Sequence, residues 1–374
     1  MSDESAAKAP ENTASSLPPS QLDVLALGAL GALLFVGAIA ELSKYPGLVN
    51  NFADSPGYIA VASAIQHWDF QGLFVKQFWG VSYAVALVSI VTRLSDLASL
   101  LLVCAISYFA AAALAYRLWG GWVAGFFTIL NFDWMQRSFL GGSEPLFVAL
   151  LFGSFLAVRR ERWLLAALLA ACATVVRPLG IFALVGIGVV LLLQRRYSRL
   201  ALAVLIGLII GALYVTPLAR HFGDPWATVH SYEIPDPAHG SLFGLPFVAI
   251  VRGTFLFPAP WTNLVLTFGW IFFVLAGIVA MIASGDFRDY AKANPVEALF
   301  AALYIVAIFS YNYPFWARGS FPRFSIPIVP FVLLALQRWI PRRRPLLWAL
   351  GVVCPALAAA SALGLKNLPK LIFR

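Results

Sequence analysis

Isolated acids are the most informative feature of this chain, because only 11% of its 374 residues are charged while 61% are hydrophobic. Asp54 lies in Phe52-Ala-Asp-Ser-Pro-Gly-Tyr58, a turn-rich segment just beyond the first apolar run. Asp133 and Glu144 stand in a similar way at the ends of later apolar runs. A carboxylate in such a place can take a proton from an attacking alcohol. These acids therefore predict general-base chemistry on a hydroxyl group.

Isolated arginines complete this pattern. Arg177 interrupts the apolar stretch 163–194, and Arg318 and Arg323 precede the run that begins near residue 324. Guanidinium groups bind phosphate through two parallel hydrogen bonds, and an arginine at membrane depth is costly unless it is paired or bound to an anion. The arginines therefore predict a site that holds an anionic lipid head group.

The composition is typical of a protein whose solvent is lipid. Mean hydropathy is +0.84, and apolar runs of roughly 15–22 residues alternate with short basic or Pro/Gly-rich turns. The formal net charge of +9 comes mostly from arginines at 159–162, 195–199 and 342–344. Short loops rich in Lys and Arg stay on the cytoplasmic side, so these clusters indicate membrane topology and not a nucleic-acid partner. The bilayer itself is the first expected partner.

The basic clusters order the elements that must position the acids and arginines. Residues 1–20 are expected to be a disordered cytoplasmic tail, and 21–374 a single all-α domain of about eleven membrane-spanning helices. The predicted spans are 22–42, 97–116, 119–132, 144–158, two within 163–194, 198–217, 261–283, 295–312, 324–340 and 346–364. The predicted outer loops are about 43–96, 133–143, 218–246 and 312–323, with interfacial helices at 57–67 and 82–93 and a re-entrant segment at 247–257. An alternative in which 81–93 crosses the membrane would reverse the downstream topology.

The two helices predicted within 163–194 have about 15 residues each, which is short for a hydrocarbon layer of ~30 Å. They meet near Arg177-Pro178. We therefore expect this joint to lie below the outer surface, in a wet cavity that tolerates an arginine and broken backbone. On this topology the isolated acids and arginines all gather on the outer face.

Several short motifs resemble a known family. They are the first-loop acid, Gly141-Gly-Ser-Glu-Pro-Leu-Phe147, Val158-Arg-Arg-Glu-Arg-Trp163, Ala173-Thr-Val-Val-Arg-Pro-Leu-Gly180 and Phe321-Pro-Arg-Phe-Ser-Ile-Pro327. Over roughly residues 22–340 the chain resembles the GT-C polyprenyl-phosphate-sugar glycosyltransferases. Within that superfamily it looks most like the bacterial relatives of the GPI mannosyltransferase that adds the second mannose.

The resemblance implies a fold, a reaction and a set of residues. The fold is a GT-C-like helical bundle in the bacterial plasma membrane, with its active site on the outer face. The reaction moves a sugar, mannose in the nearest relatives, from a polyprenyl-phosphate donor to a hydroxyl of a glycolipid, glycan or protein acceptor. Asp54 matches the catalytic acid. The substrate-binding candidates are Tyr58, Asp133, Glu144, Arg177, Arg318 and Arg323.

The chain also departs from the pattern of those relatives. GPI-type enzymes tend to carry Trp-Asp in the first loop where this chain has Ala53-Asp54, and no Asp-x-Asp pair is present. Cys104, Cys172 and Cys354 lie in apolar runs without metal-type spacing. No metal ligands are therefore assigned, and a divalent cation stays open as a cofactor.

Each candidate residue has a structural alternative. Asp54 could cap the helix that begins near Pro56, and Glu144 could only stabilise the start of its helix through the helix dipole. Arg177 could form a structural ion pair, and Arg323 could be an interface anchor. At the level of function, a transporter or flippase of a lipid-linked sugar is the main alternative, and an envelope scaffold is the third class.

Overall fold

The computed structural model describes residues 17–44, 54–70, 72–73, 76–232 and 241–372. Within these ranges the chain is helical, with one isolated antiparallel bridge between Phe243 and Tyr311. The all-α prediction is confirmed for this part of the chain. Residues 1–16 of the expected N-terminal tail lie outside the described residues.

The described part of the first half of the chain forms nine helices. They are α1 (Gln21–Ser43), α2 (Ser55–His67), α3 (Gly80–Thr92), α4 (Asp96–Leu130), α5 (Phe132–Leu140), α6 (Glu144–Arg159), α7 (Trp163–Val176), α8 (Ile181–Leu193) and α9 (Tyr197–Phe222).

The described part of the second half adds nine more. They are α10 (Ala227–His230), α11 (Val248–Leu256), α12 (Trp261–Ala283), α13 (Gly285–Ala293), α14 (Pro295–Ser310), α15 (Pro314–Gly319), α16 (Phe321–Ser325), α17 (Val329–Ala335) and α18 (Arg344–Ile372).

Among the described residues, five helices are long and apolar enough to cross a membrane: α1, α4, α9, α12 and α18. The bent pairs α5–α6 and α13–α14, whose helices meet at 107° and 114°, raise this number to seven if each pair is one span. The chain is therefore a multi-pass membrane protein with five to seven candidate spans by length and composition. Three of the other predicted spans are the shorter apolar helices α7, α8 with its preceding turn, and Phe321–Ala335.

Helix α4 turns back on itself at Gly120. In a continuous helix Tyr108 and Thr128 would lie about 30 Å apart, yet the Tyr108 hydroxyl donates a hydrogen bond to the Thr128 carbonyl over 3.0 Å. Gly120 has φ +83°, a left-handed conformation that glycine adopts without a Cβ penalty. The reversal predicted between 97–116 and 119–132 is therefore present in the structure.

A chain of polar contacts gathers several helix ends at one end of the bundle. Arg344 at the start of α18 pairs with Asp23 of α1, and Arg117 near the break in α4 donates to Gln21 over 3.2 Å. Arg159 at the end of α6 then donates to the Leu118 carbonyl over 2.6 Å. Arg159 Nε and Nη2 also donate hydrogen bonds to the two carboxylate oxygens of Glu297 on α14, over 2.6 and 2.9 Å. We call this region the basic end.

The helices α2 and α3 occur where interfacial helices were predicted at 57–67 and 82–93. The Ser82 hydroxyl of α3 donates to the Tyr58 carbonyl of α2 over 3.0 Å. A Cβ on Gly80 would lie 2.6 Å from the Val176 nitrogen, so α3 sits directly against the end of α7. These contacts position the start of α2 beside the joint that follows α7.

An aromatic cluster ties the first loop to the end of α9. The ring of His221 stacks on Phe70 with centroids 4.3 Å apart, and Phe70 in turn stacks on Trp79 at 5.5 Å. Because these rings belong to the segment before α3 and to the end of α9, they fix the first loop over the same end of the bundle.

Two predicted segments differ in detail. The expected outer loop 133–143 contains α5, because Asn131 caps a helix by accepting a hydrogen bond from the Trp134 nitrogen over 3.0 Å. The expected continuous helix 324–340 is broken into α16, a 3₁₀ turn at Ile326–Ile328 and α17, which ends at Ala335. Pro327 and Pro330 lie in this stretch, and proline cannot donate the backbone hydrogen bonds of a regular helix.

Candidate functional site

Six charged side chains converge at the end of the bundle opposite the basic end. They come from the start of α2, from α5, from the start of α6, from the joint after α7 and from α16. This charged cluster consists of Asp54, Asp133, Arg137, Glu144, Arg177 and Arg323.

Glu144 is the centre of the charged cluster. Its side chain is only 2% exposed, and its Oε1 accepts hydrogen bonds from both Arg177 Nη1 and Arg323 Nε. The Gly141-Gly142 turn brings this carboxylate close to α5, since a Cβ on Gly142 would lie 2.8 Å from Glu144 Oε2. Glu144 is therefore more than a dipole-stabilising residue, because it bridges two arginines from distant parts of the chain.

Asp54 lies at the edge of the charged cluster. Arg323 Nη2 donates to Asp54 Oδ2 over 2.6 Å, and Arg137 Nη1 lies 3.9 Å from the same oxygen. Asp54 stands at the N-cap position of α2, yet its side chain makes no capping hydrogen bond. The capping alternative for its side chain is therefore wrong. The carboxylate is 33% exposed, and its Oδ1 makes no hydrogen bond to the described residues.

Arg137 and Asp133 form the third part of the charged cluster. They lie four residues apart on α5, with Arg137 Nη2 3.9 Å from Asp133 Oδ1. Arg137 was missed by the sequence analysis. Its signal was the i,i+4 spacing from Asp133 just before the double-glycine turn, which places the two side chains on one helix face.

Irregular backbone segments position the two arginines that contact Glu144, which are Arg177 and Arg323. Arg177 has extended φ/ψ between α7 and the 3₁₀ turn at Pro178–Gly180, so its side chain leaves the helix ladder and also reaches the Ser143 hydroxyl at 3.4 Å. Arg323 lies on the short helix α16. The buried Asn131 side chain holds that helix by donating to the Pro322 carbonyl over 2.8 Å.

The arginines determine the protonation state of Asp54. Burial by itself would raise the pKa of the Asp54 carboxyl, but the charges of Arg323 and Arg137 outweigh this effect and hold the pKa below its usual value. Asp54 is therefore ionised at neutral pH. Burial, together with the Asp54 charge, raises the pKa of Tyr58, so this buried phenol stays neutral.

The segment that follows α9 also reaches the charged cluster. Burial and the Asp54 charge raise the pKa of Tyr232, which shows that this ring lies within electrostatic range of Asp54. The Tyr313 hydroxyl donates to the Tyr232 carbonyl, and Lys76 lies 5.7 Å from the centre of the Tyr232 ring. The segment also contains Glu233, Asp236 and His239, which lie outside the described residues.

Arg318 stands apart from the charged cluster. It lies on α15, where it is 5% exposed, and it forms no ion pair or hydrogen bond with the described residues. Its Nε is sealed from solvent without an acceptor. Helix α15 is held against α11 by close backbone packing, because a Cβ on Gly253 would lie 2.1 Å from the Pro314 carbonyl oxygen. A buried guanidinium without a partner is costly and is typical of a site that receives an anion.

The lengths of α6 and α7 set the distance between the charged cluster and the basic end. Helix α6 has 16 residues between Glu144 and the basic end, which corresponds to about 24 Å. Helix α7 has 14 residues before Arg177, or about 21 Å. Both lengths fall short of the ~30 Å hydrocarbon layer.

Five of the seven residues predicted to form the site thus lie together in the charged cluster, and Tyr58 follows Asp54 by one helical turn. Arg318 is the exception, because no contact joins it to the other six. Among the described residues, no group of three or more His, Cys, Asp or Glu side chains is arranged to hold a metal ion.

No protein-family model, curated protein or solved structure matches this chain.

Proposed function

We propose that this protein is a membrane glycosyltransferase. It moves a sugar, with mannose as the first candidate, from a polyprenyl-phosphate donor to a hydroxyl group of an acceptor. The finer architecture of this proposal is a GT-C-like bundle of about eleven spans. The helices α2 and α3 then lie at the membrane interface. The charged cluster faces the outer side of a bacterial plasma membrane and is recessed several ångströms below its surface, because α6 and α7 are shorter than the ~30 Å hydrocarbon layer.

The observation that carries the proposal is the state of Asp54. Its carboxylate is ionised, keeps one oxygen free of hydrogen bonds to the described residues, and is 33% exposed at the rim of a recessed polar cluster. Glu144, at the centre of the cluster, is only 2% exposed and is closed to a substrate hydroxyl. Asp54 is instead placed to accept a proton.

The proposed reaction is a single displacement at the anomeric carbon of the sugar. The acceptor oxygen forms a bond to this carbon while the bond from the carbon to the phosphate oxygen breaks. The proton of the acceptor hydroxyl passes to Asp54, and the bonding electron pair leaves with the polyprenyl phosphate, which gains one negative charge. Arginine side chains near the phosphate favour this step, because they stabilise charge that develops on the leaving group.

Charge balance separates the roles of the arginines. The charged cluster contains three carboxylates and three guanidinium groups, so its formal charges cancel. Arg177 and Arg323 can orient an incoming phosphate, but their charges are already compensated by Glu144 and Asp54. Arg318 has no such compensation in the described part of the chain, so we assign it the largest electrostatic share in donor binding.

The recessed position favours a lipid-linked donor. A polyprenyl tail can remain in the hydrocarbon layer while its phosphate and sugar reach a polar site several ångströms below the surface. A water-soluble sugar nucleotide would have to bring more than one phosphate charge into the same low-dielectric region, at a greater desolvation cost.

The test is a transfer assay with the purified full-length protein in nanodiscs. The donor is polyprenyl-phosphate [³H]mannose, and the acceptors are lipid extracts from cells that lack the gene. We expect Asp54→Asn to lower transfer by about 10²–10⁴, the range for loss of a general base, while donor binding persists. Asp224→Asn, which removes an exposed acid outside the charged cluster, is the matched control.

The same variants separate the proposal from its alternatives. Normal transfer by Asp54→Asn would return Asp54 to a structural role. A carrier would instead lose pH-driven movement of the lipid-linked sugar between leaflets without any new glycosidic bond. A scaffold would be indifferent to the substitution in both assays.

A further inference from the structure

An open cavity of about 440 Å³ lies at the basic end, between the start of α7 and the first turns of α9. Its lining is divided by polarity. Arg162 and Arg199 supply the charged part, and Leu164, Leu165 and Leu202 supply the apolar part. This cavity is separate from the charged cluster, because α7 extends 14 residues, or about 21 Å, from the cavity to Arg177.

The two cavity arginines have no carboxylate partner among the described residues. Arg159 pairs with Glu297, and Arg196 lies 3.5 Å from Glu161, the acid that also lines the cavity. Arg162 and Arg199 are exposed and form no ion pair in the described part of the chain. With Glu161 compensated by Arg196, the cavity carries a net positive charge.

The apolar part of the cavity is exposed. Leu164, Leu165 and Leu202 are 44%, 42% and 45% exposed. Only 6% of the apolar 18-residue window of α9 is buried inside the protein, so nearly all of this apolar surface is exposed, as suits a helix in lipid. The leucines follow the arginines within one helical turn along α7 and α9. The cavity therefore presents cations at head-group level and an apolar wall immediately below, at the depth of the acyl chains.

We propose that this cavity binds an anionic phospholipid of the bilayer. Its phosphate contacts Arg162 and Arg199, and its acyl chains lie along the leucines and the exposed face of α9. The divided lining requires a ligand that is both anionic and apolar, which free phosphate is not. Basic residues at a membrane surface attract anionic lipid head groups, and two of them in one cavity provide a specific site.

Native mass spectrometry of the full-length protein in detergent tests this proposal. The protein is titrated with phosphatidylglycerol and with phosphatidylcholine of the same acyl chains, and the affinity for the first bound lipid is measured. The wild type is expected to prefer phosphatidylglycerol. Each cavity arginine should contribute about fivefold, so Arg162→Gln/Arg199→Gln should lower phosphatidylglycerol affinity about twenty-fivefold and leave phosphatidylcholine binding unchanged.

The matched control is Arg195→Gln/Arg343→Gln, which removes the same charge from the basic end outside the cavity and should change the preference less than twofold. If both double variants lost the same amount of phosphatidylglycerol affinity, the preference would come from diffuse surface charge, and the proposed site would be refuted. Displacement of the lipid by glycerol phosphate at equal concentration would also overturn it, because the apolar wall would then contribute nothing. If the double variant does not fold, the single Gln variants decide: unchanged preference in both refutes the site.

Discussion

Glu144→Gln should destabilise the protein more than any other conservative change in the charged cluster. The wild-type carboxylate is 2% exposed, and it compensates Arg177 and Arg323, whose side chains are 16% and 11% exposed. Arg323 would keep Asp54 at 2.6 Å, whereas Arg177 would lose its only carboxylate partner among the described residues. Removal of one member of a buried ion pair costs about 3–5 kcal/mol. We expect the lower end, because the amide oxygen of Gln still accepts one hydrogen bond.

The measurement is SDS-induced unfolding of the purified protein in mixed micelles, compared with Glu161→Gln. Glu161 is 70% exposed and lies 3.5 Å from Arg196, so loss of this surface pair should cost about 0–1 kcal/mol. Adding Arg177→Met to Glu144→Gln removes the stranded cation. The double variant should therefore recover about 1–2 kcal/mol relative to the single variant.

Two results would refute this reasoning. If Glu144→Gln cost no more than Glu161→Gln, Glu144 would not be the buried partner of both arginines. If the double variant were destabilised by the sum of the single effects, Arg177 and Glu144 would be independent, and the charged cluster would not act as one network.

Three further predictions concern protonation, packing and topology. Because the folded pKa of Asp54 is lowered, its charge persists below the usual aspartate pKa of about 3.9. The acid limb of the pH profile of kcat/KM should therefore lie below that pH. The contribution of Asp54 to stability should also be lost only below that pH. An acid limb near pH 6 would contradict Asp54 as the base. Gly253→Ala should raise the KM for the donor severalfold. The new Cβ would lie 2.1 Å from the Pro314 oxygen and would displace α15 together with Arg318. The control is Gly269→Ala, whose Cβ meets no atom within 4 Å and which should leave this KM unchanged. In a cysteine-free background, a cysteine at His230 should react with an impermeant thiol reagent from outside, and one at Arg343 only after permeabilisation; the reverse pattern would invert the proposed membrane orientation.

The positions of most helices could be predicted from the sequence because apolar runs and basic clusters define them locally. The segment 261–283 coincides with α12, and the break at Arg177-Pro178 lies between α7 and α8. Helix α5 was missed because its signals are polar. Asn131 is a good N-cap, but the amphipathic stretch that follows it is too short to be recognised as a span.

The partners within the site could not be predicted from the sequence. Glu144 meets Arg177 across 33 positions and Arg323 across 179, and Arg323 meets Asp54 across 269. Such pairings depend on how the helices pack, and packing leaves no periodic signal in a single sequence. Composition could still indicate that rare charged residues in an apolar chain must find one another, because the bilayer offers no other way to compensate them.

Asp54 must be ionised and must also be basic enough to accept a proton, and these two requirements limit the chemistry that it can support. A base at membrane depth must be ionised, and Arg323 and Arg137 provide this by lowering the pKa of its carboxyl group. The same charges make Asp54 a weaker base, because proton affinity falls with pKa. A weak base is sufficient only when the bond to the leaving group breaks early, so that the attacking hydroxyl becomes acidic before its proton is transferred. A phosphate leaving group held by an uncompensated arginine meets this condition. The proposed reaction therefore needs an arginine that holds the leaving phosphate as well as Asp54, and a donor with a poorer leaving group than phosphate should not be used.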